Sequence, residues 1–526
     1  GGTPGPAGGS GGSGGTGGQG GSGGAEPLLD LGEPCAQAAE CDSAQCVDDV
    51  CCAGPCEGPC WSCALSGREG SCEPAPLRAD PRGQCAAPAV CDGTGVCAQG
   101  DLRWSQAHGG TGQDFPTSVV SDAAGNLIAT GKYVGPVSFG GTPLTAHGAG
   151  DVFAVKLSPA GDHLWSVGFG GTAGDNGSGV AVDDAGDVVL VGGFRGSIDF
   201  GGGTLASASA ATLDVYVAKL DSDGRHLWSA RYGDGMDQEA TDVAARGTDQ
   251  IAVAGNLNGS MVVVPGNTHS VTHVTGFVSC FSGTGAPLWS HAHPGTSVSY
   301  TRAVAVDLSG RVWVAGDYQG SININGTDYF AQGVENTYLT RLSPTGAYQL
   351  TVAPDGSGDE RIYDIAVDGQ GNLLVTGKLT VDLDLGGQLL ESTGGGDGFV
   401  AKLAPDGTLL WGRVFGAAGE DFGTGVAFDG AGNAFVTGTF ATSVDFGGGR
   451  HDSAGGADIV IAKFTSDGEH LWTHTFGSTG GQNGYRVAAD PESHLLFAGF
   501  FGEPFALVEP LSHAGDLDVV FAKLGP

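Results

Sequence analysis

From Asp101 onward the hydrophobic positions fall in short runs rich in β-branched and aromatic residues, each bounded by Gly, Asp, Asn or Pro, and none follows helical periodicity. Such runs predict strands. Between Ser178 and Tyr232 four are expected, at about 178–183, 187–194, 214–220 and 226–232. The first two are joined by a turn of the form Asp-x-x-Gly-Asn. The last two are joined by turns such as Ser158-Pro159-Ala160-Gly161 or Pro405-Asp406-Gly407, where Gly supplies the positive φ of a tight turn.

The pattern repeats, and the repeat decides the fold class. A Trp follows a tight turn at Trp104, Trp165, Trp228, Trp289, Trp411 and Trp472, with Tyr348 filling the gap. A column of strand-ending residues stands at Asp122, Asp183, Arg246, Asp307, Asp368, Asp429 and Asp490. A third column reads Phe-Val-Ala-Lys-Leu or close to it, from Phe153–Leu157 to Val520–Leu524. All three count seven copies at a spacing close to sixty-one residues, and the Asp column keeps sixty-one except for one interval of sixty-three. Four strands repeated seven times predict an all-β, seven-bladed β-propeller over residues 101–526. An open solenoid also stacks repeats, but the last copy stops after its third strand while Leu102–His108 carries a Trp strand with no copy before it. That strand is expected to complete the last blade and close the ring, removing two sheet edges.

Composition divides the rest. Residues 1–30 begin with Gly, Ser, Thr and Pro almost throughout and read as a flexible tether. Residues 31–100 hold twelve of the thirteen cysteines: Cys35, Cys41, Cys46, Cys51, Cys52, Cys56, Cys60, Cys63, Cys72, Cys85, Cys91 and Cys97. An even count at this density, without histidine, reads as six disulfides of undetermined connectivity rather than zinc, although Cys60 and Cys63 have CxxC spacing. Cys280 is left as an isolated, buried thiol. The formal net charge of −36 argues against nucleic acid, which needs clustered Lys and Arg, and no run of eighteen apolar residues offers a membrane span. Disulfides and a start without Met fit a processed export product, secreted or held at the outer surface as a lipoprotein.

The LW turn-strand, the VAVD-x-x-GN hairpin, the VTG run, Phe139, Phe200 and Phe446 each followed by Gly-Gly, and D-x-F-VAKL together resemble bacterial secreted proteins built from the SBBP-type β-propeller repeat. The likeness covers residues 101–526. It departs most in copies three and four, where Arg246 and Cys280 replace the Asp and Lys, and Val264-Pro265-Gly266 and Ile324-Asn325-Gly326 replace Phe-Gly-Gly. The segment from Cys35 to Cys97 resembles cysteine-rich modules that precede such propellers. The resemblance implies fold and location, and no chemistry.

Candidate chemistry is sparse. Gly11–Gly15 matches Gly-x-Ser-x-Gly but lies in low-complexity sequence, and Asp221–Gly224 reads as a hairpin turn rather than a calcium loop. His163, His226 and His470 recur two residues before Trp and read as turn positions, with His291 and His293 as surface residues on one strand face. The basic column Lys156, Lys219, Arg341, Lys402, Lys463 and Lys523 is expected to pair with the repeated Asp. Just before each first strand stand Asp114, Asp175, Gln238, Ser299, Glu360, Asp421 and Gln482, with Asp237 beside Gln238. Two readings are open for this column: loop caps, or a ring at one channel mouth where Asp114, Asp175, Asp237, Glu360 and Asp421 form a negative funnel for a cation such as calcium.

The expected function is therefore a non-catalytic extracellular or cell-surface binding propeller with a protein or glycan partner and no cofactor beyond possible calcium. The alternatives are a structural subunit that self-assembles through the arm or cysteine module, and an enzyme acting on glycans. For the last, the sequence offers no acid–base pair at a defensible spacing.

Overall fold

The computed structural model describes Gly100 and residues 102–354, 356–507 and 510–526, together with the backbone of three two-residue-strand hairpins: Cys46–Val47 with Val50–Cys51, Trp61–Ser62 with Glu73–Pro74, and Val90–Cys91 with Cys97–Ala98. The tether and the cysteine pairings fall outside the described residues. From Leu102 on, the chain forms seven four-stranded antiparallel sheets. Their first strands are Phe115–Ser121, Asn176–Val182, Gln238–Arg246, Ser299–Val306, Arg361–Val367, Phe422–Phe428 and Gln482–Ala489, which define blades 1 to 7 in that order. Blade 2 continues through Val188–Phe194, Asp214–Leu220 and His226–Tyr232. These strands lie within two residues of the expected ones.

The second and third strands of each blade are apolar runs because both of their faces are covered. Every residue of Val188–Phe194 and Asp214–Leu220 is buried. The apolar clusters run between blades, and one joins Val119, Leu127 and Phe153 of blade 1 to Leu496, Val519 and Phe521 of blade 7. The ring closes as the sequence implies: Asp518–Leu524 pairs with Leu102–His108, setting Val519 opposite His108 and Lys523 opposite Trp104. The chain is a closed seven-bladed β-propeller.

The repeated residues converge on one junction. The Trp165 indole donates to the Ser222 carbonyl in the turn of the next blade (3.0 Å), and the Lys156 ammonium donates to the same oxygen (3.3 Å). Trp228 and Lys219 meet on the Gly283 carbonyl (3.0 and 3.4 Å), and Trp411 and Lys402 on that of Ser466 (3.0 and 3.3 Å). Each ammonium also pairs with the Asp of its own blade: Lys156–Asp122 at 2.9 Å, Lys219–Asp183 at 2.7 Å, Lys463–Asp429 at 3.0 Å and Lys523–Asp490 at 2.7 Å. That Asp holds its hairpin turn through the other oxygen, as Asp122 Oδ1 does by accepting from Ala124 N (2.9 Å) and Asn126 N (3.0 Å). In blade 3 both partners are replaced at once, by Arg246 and Cys280. A double replacement leaves no buried charge alone, which is the costly outcome. The Cys280 thiol is fully buried, and burial pushes its pKa up to about 11.

The turn Gly of the repeat earns its place twice. At Gly224 φ is +81°, and a Cβ there would press on the Trp165 ring of the preceding blade. Gly100, at φ +55°, meets Trp472 in the same way where the ring closes. The Gly-Gly pairs answer to the histidines. A Cβ at Gly141, Gly202 or Gly448 would collide with the ring of His163, His226 or His470, each of which bonds Ser166, Ser229 or Thr473. These histidines pack the blade edge. His293 departs from the expected surface position: it is fully buried, bonded to the Tyr338 and Tyr348 hydroxyls (3.2 and 3.0 Å), and desolvation lowers its pKa to about 3.

The paired replacement in blade 3 generates a test. Lys219→Met alone strands Asp183 and Asp187 and is expected to cost about 3–5 kcal/mol in urea unfolding. Adding Asp183→Asn, which keeps the turn-capping oxygen, is expected to recover most of that loss. A double variant no more stable than the single one would show that the pair does not act as a unit.

Candidate functional site

The first strands line the axis, and each carries a bulge at the same place, between Pro116 and Ser118, Gly177 and Gly179, Ala240 and Asp242, Thr301 and Ala303, Ile362 and Asp364, Gly423 and Gly425, and Gly484 and Arg486. A bulge adds one residue and re-aims the side chains around it. The added residues are Thr117, Ser178, Thr241, Arg302, Tyr363, Thr424 and Tyr485, and all seven line one cavity at the channel mouth. Where the residue is Thr it rivets the next blade, as Thr117 Oγ1 donates to Gly177 O (2.8 Å), Thr241 to Thr301 O (2.8 Å) and Thr424 to Gly484 O (2.7 Å). In blades 4, 5 and 7 the rivet gives way to Arg302, Tyr363 and Tyr485.

The cavity measures about 480 Å³ and is further lined by Phe115, Lys132, Asn176, Glu239, Phe422 and Arg486. Arg302 is held bidentate by Asp317 (2.7 and 3.2 Å) and lies over the Tyr300 ring at 4.5 Å. Glu239 accepts from Asn176 Nδ2 (3.2 Å), and burial raises its pKa. Deeper in the channel, Arg486 donates to the carbonyls of Thr424, Tyr485 (3.2 Å) and Tyr363 (3.3 Å), so that one side chain of blade 7 crosses over blades 5 and 6. At its level Asp242 accepts from Val304 N (2.8 Å) and Asp364 from Val426 N (2.9 Å), each in the next blade. Burial and the Asp364 charge push Asp242 up to about 7, while the Arg486 guanidinium pulls the other way. Arg486 also lines the channel below, where Asp242 and Asp364 stand among valines, so it is the floor between the two.

The acidic column named from the sequence sits elsewhere. Asp114, Asp175, Glu360 and Asp421 are 0% exposed, and none lines the mouth. Asp114 accepts from Gly110 N (2.7 Å) and Val134 N (2.9 Å), Asp175 from Gly171 N (2.9 Å) and Arg195 N (3.0 Å), Asp421 from Ala417 N (3.1 Å) and Ala441 N (2.8 Å), and Glu360 from Gly358 N (2.9 Å). These four cap loops, so the expected negative funnel is corrected to a set of buried caps. Only Asp237 stays exposed, accepting from Leu213 N (2.9 Å) and lying 3.9 Å from Arg195. Asp114, Asp175 and Asp421 have both carboxylate oxygens bonded to amides and Glu360 has one, so the column does not gather free carboxylate oxygens at the mouth for a calcium ion. Burial pushes Asp114 and Asp175 up to about 6, helped by the Asp518 and Asp151 charges beside them, and Glu360 up to about 7. The residues that do face the mouth follow one and three positions later in the sequence. Their signal was the break in a repeated column: Thr or Ser in four copies, Arg or Tyr in three.

Comparison with known proteins agrees with the fold. Residues 410–439 match the family model described as SBBP, beta-propeller repeat. The chain is 25% identical over 381 residues to the regulatory protein FlaEY of Caulobacter vibrioides, covering 67% of this chain and 39% of that protein. It is 23% identical over 156 residues to the uncharacterized WD repeat-containing protein L264 of Acanthamoeba polyphaga mimivirus, covering 27% of this chain and 11% of that one. The chain thus spans less than half the length of either relative. Among solved structures, the WD40 repeats of RRP9 align at 12% identity and TM-score 0.44 over 80% of this chain and 97% of theirs. Sqt1 from Chaetomium thermophilum aligns at 11% identity and TM-score 0.40 over 81% and 99%. The class is the β-propeller repeat proteins. Within it, this chain is a seven-bladed ring whose repeat resembles SBBP.

The raised acids set a pH dependence. A carboxyl whose pKa is higher folded than unfolded favours folding while protonated, and that contribution is lost as pH rises through the folded value. Glu360 and Asp242, both at about 7, are the groups that act above pH 6.5. The melting temperature is expected to fall by about 2–4 °C between pH 6.5 and 8. Below pH 6.5 Asp114 and Asp175, at about 6, add to the gain, and His108 and His293, lowered by desolvation to about 4 and 3, offset part of it because unfolding lets them take up protons. In Arg486→Met the fall above pH 6.5 steepens, since Asp242 and Asp364 lose their cation. Equal slopes in the two proteins would remove Arg486 from this role.

Proposed function

We propose that the chain is a non-catalytic binding propeller that works outside the cytoplasm and seats its ligand at the channel mouth. The observation that carries this reading is the break in the bulge column: all seven bulge residues face one cavity, and in three blades a position that is Thr or Ser in the other four changes to Arg302, Tyr363 and Tyr485. Scaffold needs recur in every blade. A feature confined to some blades and gathered at one opening serves something other than the scaffold, and the cavity has the size range of small-molecule sites. Glu239 is the single carboxylate among the residues lining the mouth, whereas glycoside hydrolysis ordinarily uses two. That favours retention of a ligand over its turnover.

The extracytoplasmic part rests on the cysteine density between Cys35 and Cys97. Alkylation of the native protein after unfolding, read by mass spectrometry, is expected to label Cys280 alone. Labelling of the other twelve would move the protein to a reducing compartment.

For the mouth, the full-length chain and a Tyr363→Ala, Tyr485→Ala double variant are immobilised and exposed to peptide and oligosaccharide libraries. Retention by the parent, reduced about tenfold or more in the variant, with the ligand recovered unchanged, is the expected result. Retention that ignores the double variant would place binding elsewhere, and cleaved ligand would make the protein an enzyme.

A further inference from the structure

The mouth has two unlike halves. Around the ring, the consecutive blades 5, 6, 7 and 1 contribute Tyr363, Phe422, Tyr485 and Phe115. Phe422 meets Tyr363 edge-on at 6.2 Å, and Phe500 stands behind Phe115 and Tyr485 at 5.8 and 6.2 Å, so the rings form two contacting groups on one side of the mouth. Blades 2, 3 and 4, also consecutive, contribute Asn176, Glu239 and Arg302 instead. One wall offers flat apolar faces and the opposite wall offers hydrogen-bond donors and acceptors.

Of the charged residues lining the mouth, Arg302 is held by Asp317 and Arg486 lies beside Asp364 and Asp242, while the remaining two, Lys132 and Glu239, are of opposite sign. Matched pairs present N–H and carboxylate oxygens in fixed directions but give no net field to select an ion. The main chain at the axis is occupied too. The carbonyls of Gly177, Thr301 and Gly484 accept threonine hydroxyls, and the amides of Val304 and Val426 donate to Asp242 and Asp364. A peptide binding by strand addition needs such groups free.

A ligand suited to this mouth is flat and apolar on one face, rich in hydroxyls at its rim, and uncharged. We infer that the mouth binds a neutral carbohydrate, one sugar ring lying against the Tyr363, Phe422 and Tyr485 side while its hydroxyls bond Asn176, Glu239 and Arg302. This rests on the mouth being the ligand site. Aromatic side chains supply large, rigid contact area with a specific face geometry, and the buried polar groups opposite give orientation, because a hydroxyl missing there leaves one of them unpaired.

The test uses the full chain on an array of neutral gluco-, galacto- and manno-oligosaccharides, uronic-acid and sulfated oligosaccharides, and random peptides. Neutral oligosaccharides are expected to be retained. Tyr363→Ala with Tyr485→Ala is expected to lower that retention at least about tenfold, and Glu239→Gln to change the ranking of the sugars. Melting of each variant is measured alongside, and Phe422→Leu, which keeps an apolar side chain but removes the aromatic face, guards against a loss caused by unfolding. Retention confined to peptides or acidic sugars, yet sensitive to the mouth variants, would overturn the carbohydrate while leaving the mouth as the site. Neutral sugars retained equally by every mouth variant would overturn both. No retained neutral sugar would also overturn the carbohydrate.

Discussion

A single carbonyl oxygen, that of Ser222, shows what the ring depends on. It lies in a turn of blade 2 and receives both the indole and the ammonium that mark blade 1, while the same ammonium neutralises the Asp that shapes blade 1's own hairpin. The arrangement fixes two turns of one blade against one turn of the next. A four-stranded sheet with two apolar central strands cannot stand in water alone, so each blade needs a neighbour on either face. The bonds to Ser222, Gly283 and Ser466 add direction to that non-directional demand. With three such double joints, single bonds from Trp104 to Pro159 O, Trp289 to Pro344 O and Arg341 to Pro405 O at three others, and a last blade completed by Leu102–His108, no blade is left with an uncovered face.

Those joints explain why the fold was so readable. Trp165, Lys156 and Asp122 belong to one bonded unit, so each recurs wherever the unit does, and three columns found separately in the sequence turn out to be one contact. The missing fourth strand was equally legible, because an orphan Trp strand at Leu102–His108 and a final copy ending at Leu524 are complementary defects. Even the Gly-Gly pairs, which looked like turn chemistry, belong to this set: the ring of His226 lies where a Cβ of Gly202 would be.

The mouth was legible only in part. Sequence spacing brought the acidic column to the right end of the channel but assigned the wrong side chains to its surface. Strand periodicity says that alternate residues share a face, and on that rule Asp114 and its equivalents are fair candidates. The bulge breaks the rule. One added residue turns Tyr363 and Tyr485 toward the axis, and acids of the column such as Asp114 and Asp175 fold back onto their loops, where two amides hold each. Nothing in a hydrophobicity pattern announces a bulge, which shows only in the pairing register of the first and second strands. Arg486 escaped notice for a related reason. Its partners Asp242 and Asp364 belong to blades 3 and 5, and spacing within a repeat does not show which blades face one another across the channel.

Departures from the repeat therefore divide into two kinds, and the difference bears on function more than their number does. At Arg246 and Cys280 the repeat loses an acid and a base together, the interior stays filled, and no new chemistry reaches solvent. That is scaffold drift under the rule that a buried charge cannot be left alone. At Arg302, Tyr363 and Tyr485 the replaced residue is a Thr whose rivet to the next blade is given up, and the new side chains project into open space at the mouth. A stabilising contact is lost and half-buried aromatic surface is gained. Stability alone does not favour that exchange. Three such exchanges facing one cavity, with the aromatic ones on consecutive blades beside Phe422 and Phe115, make the mouth the part of this ring shaped for something other than holding itself together.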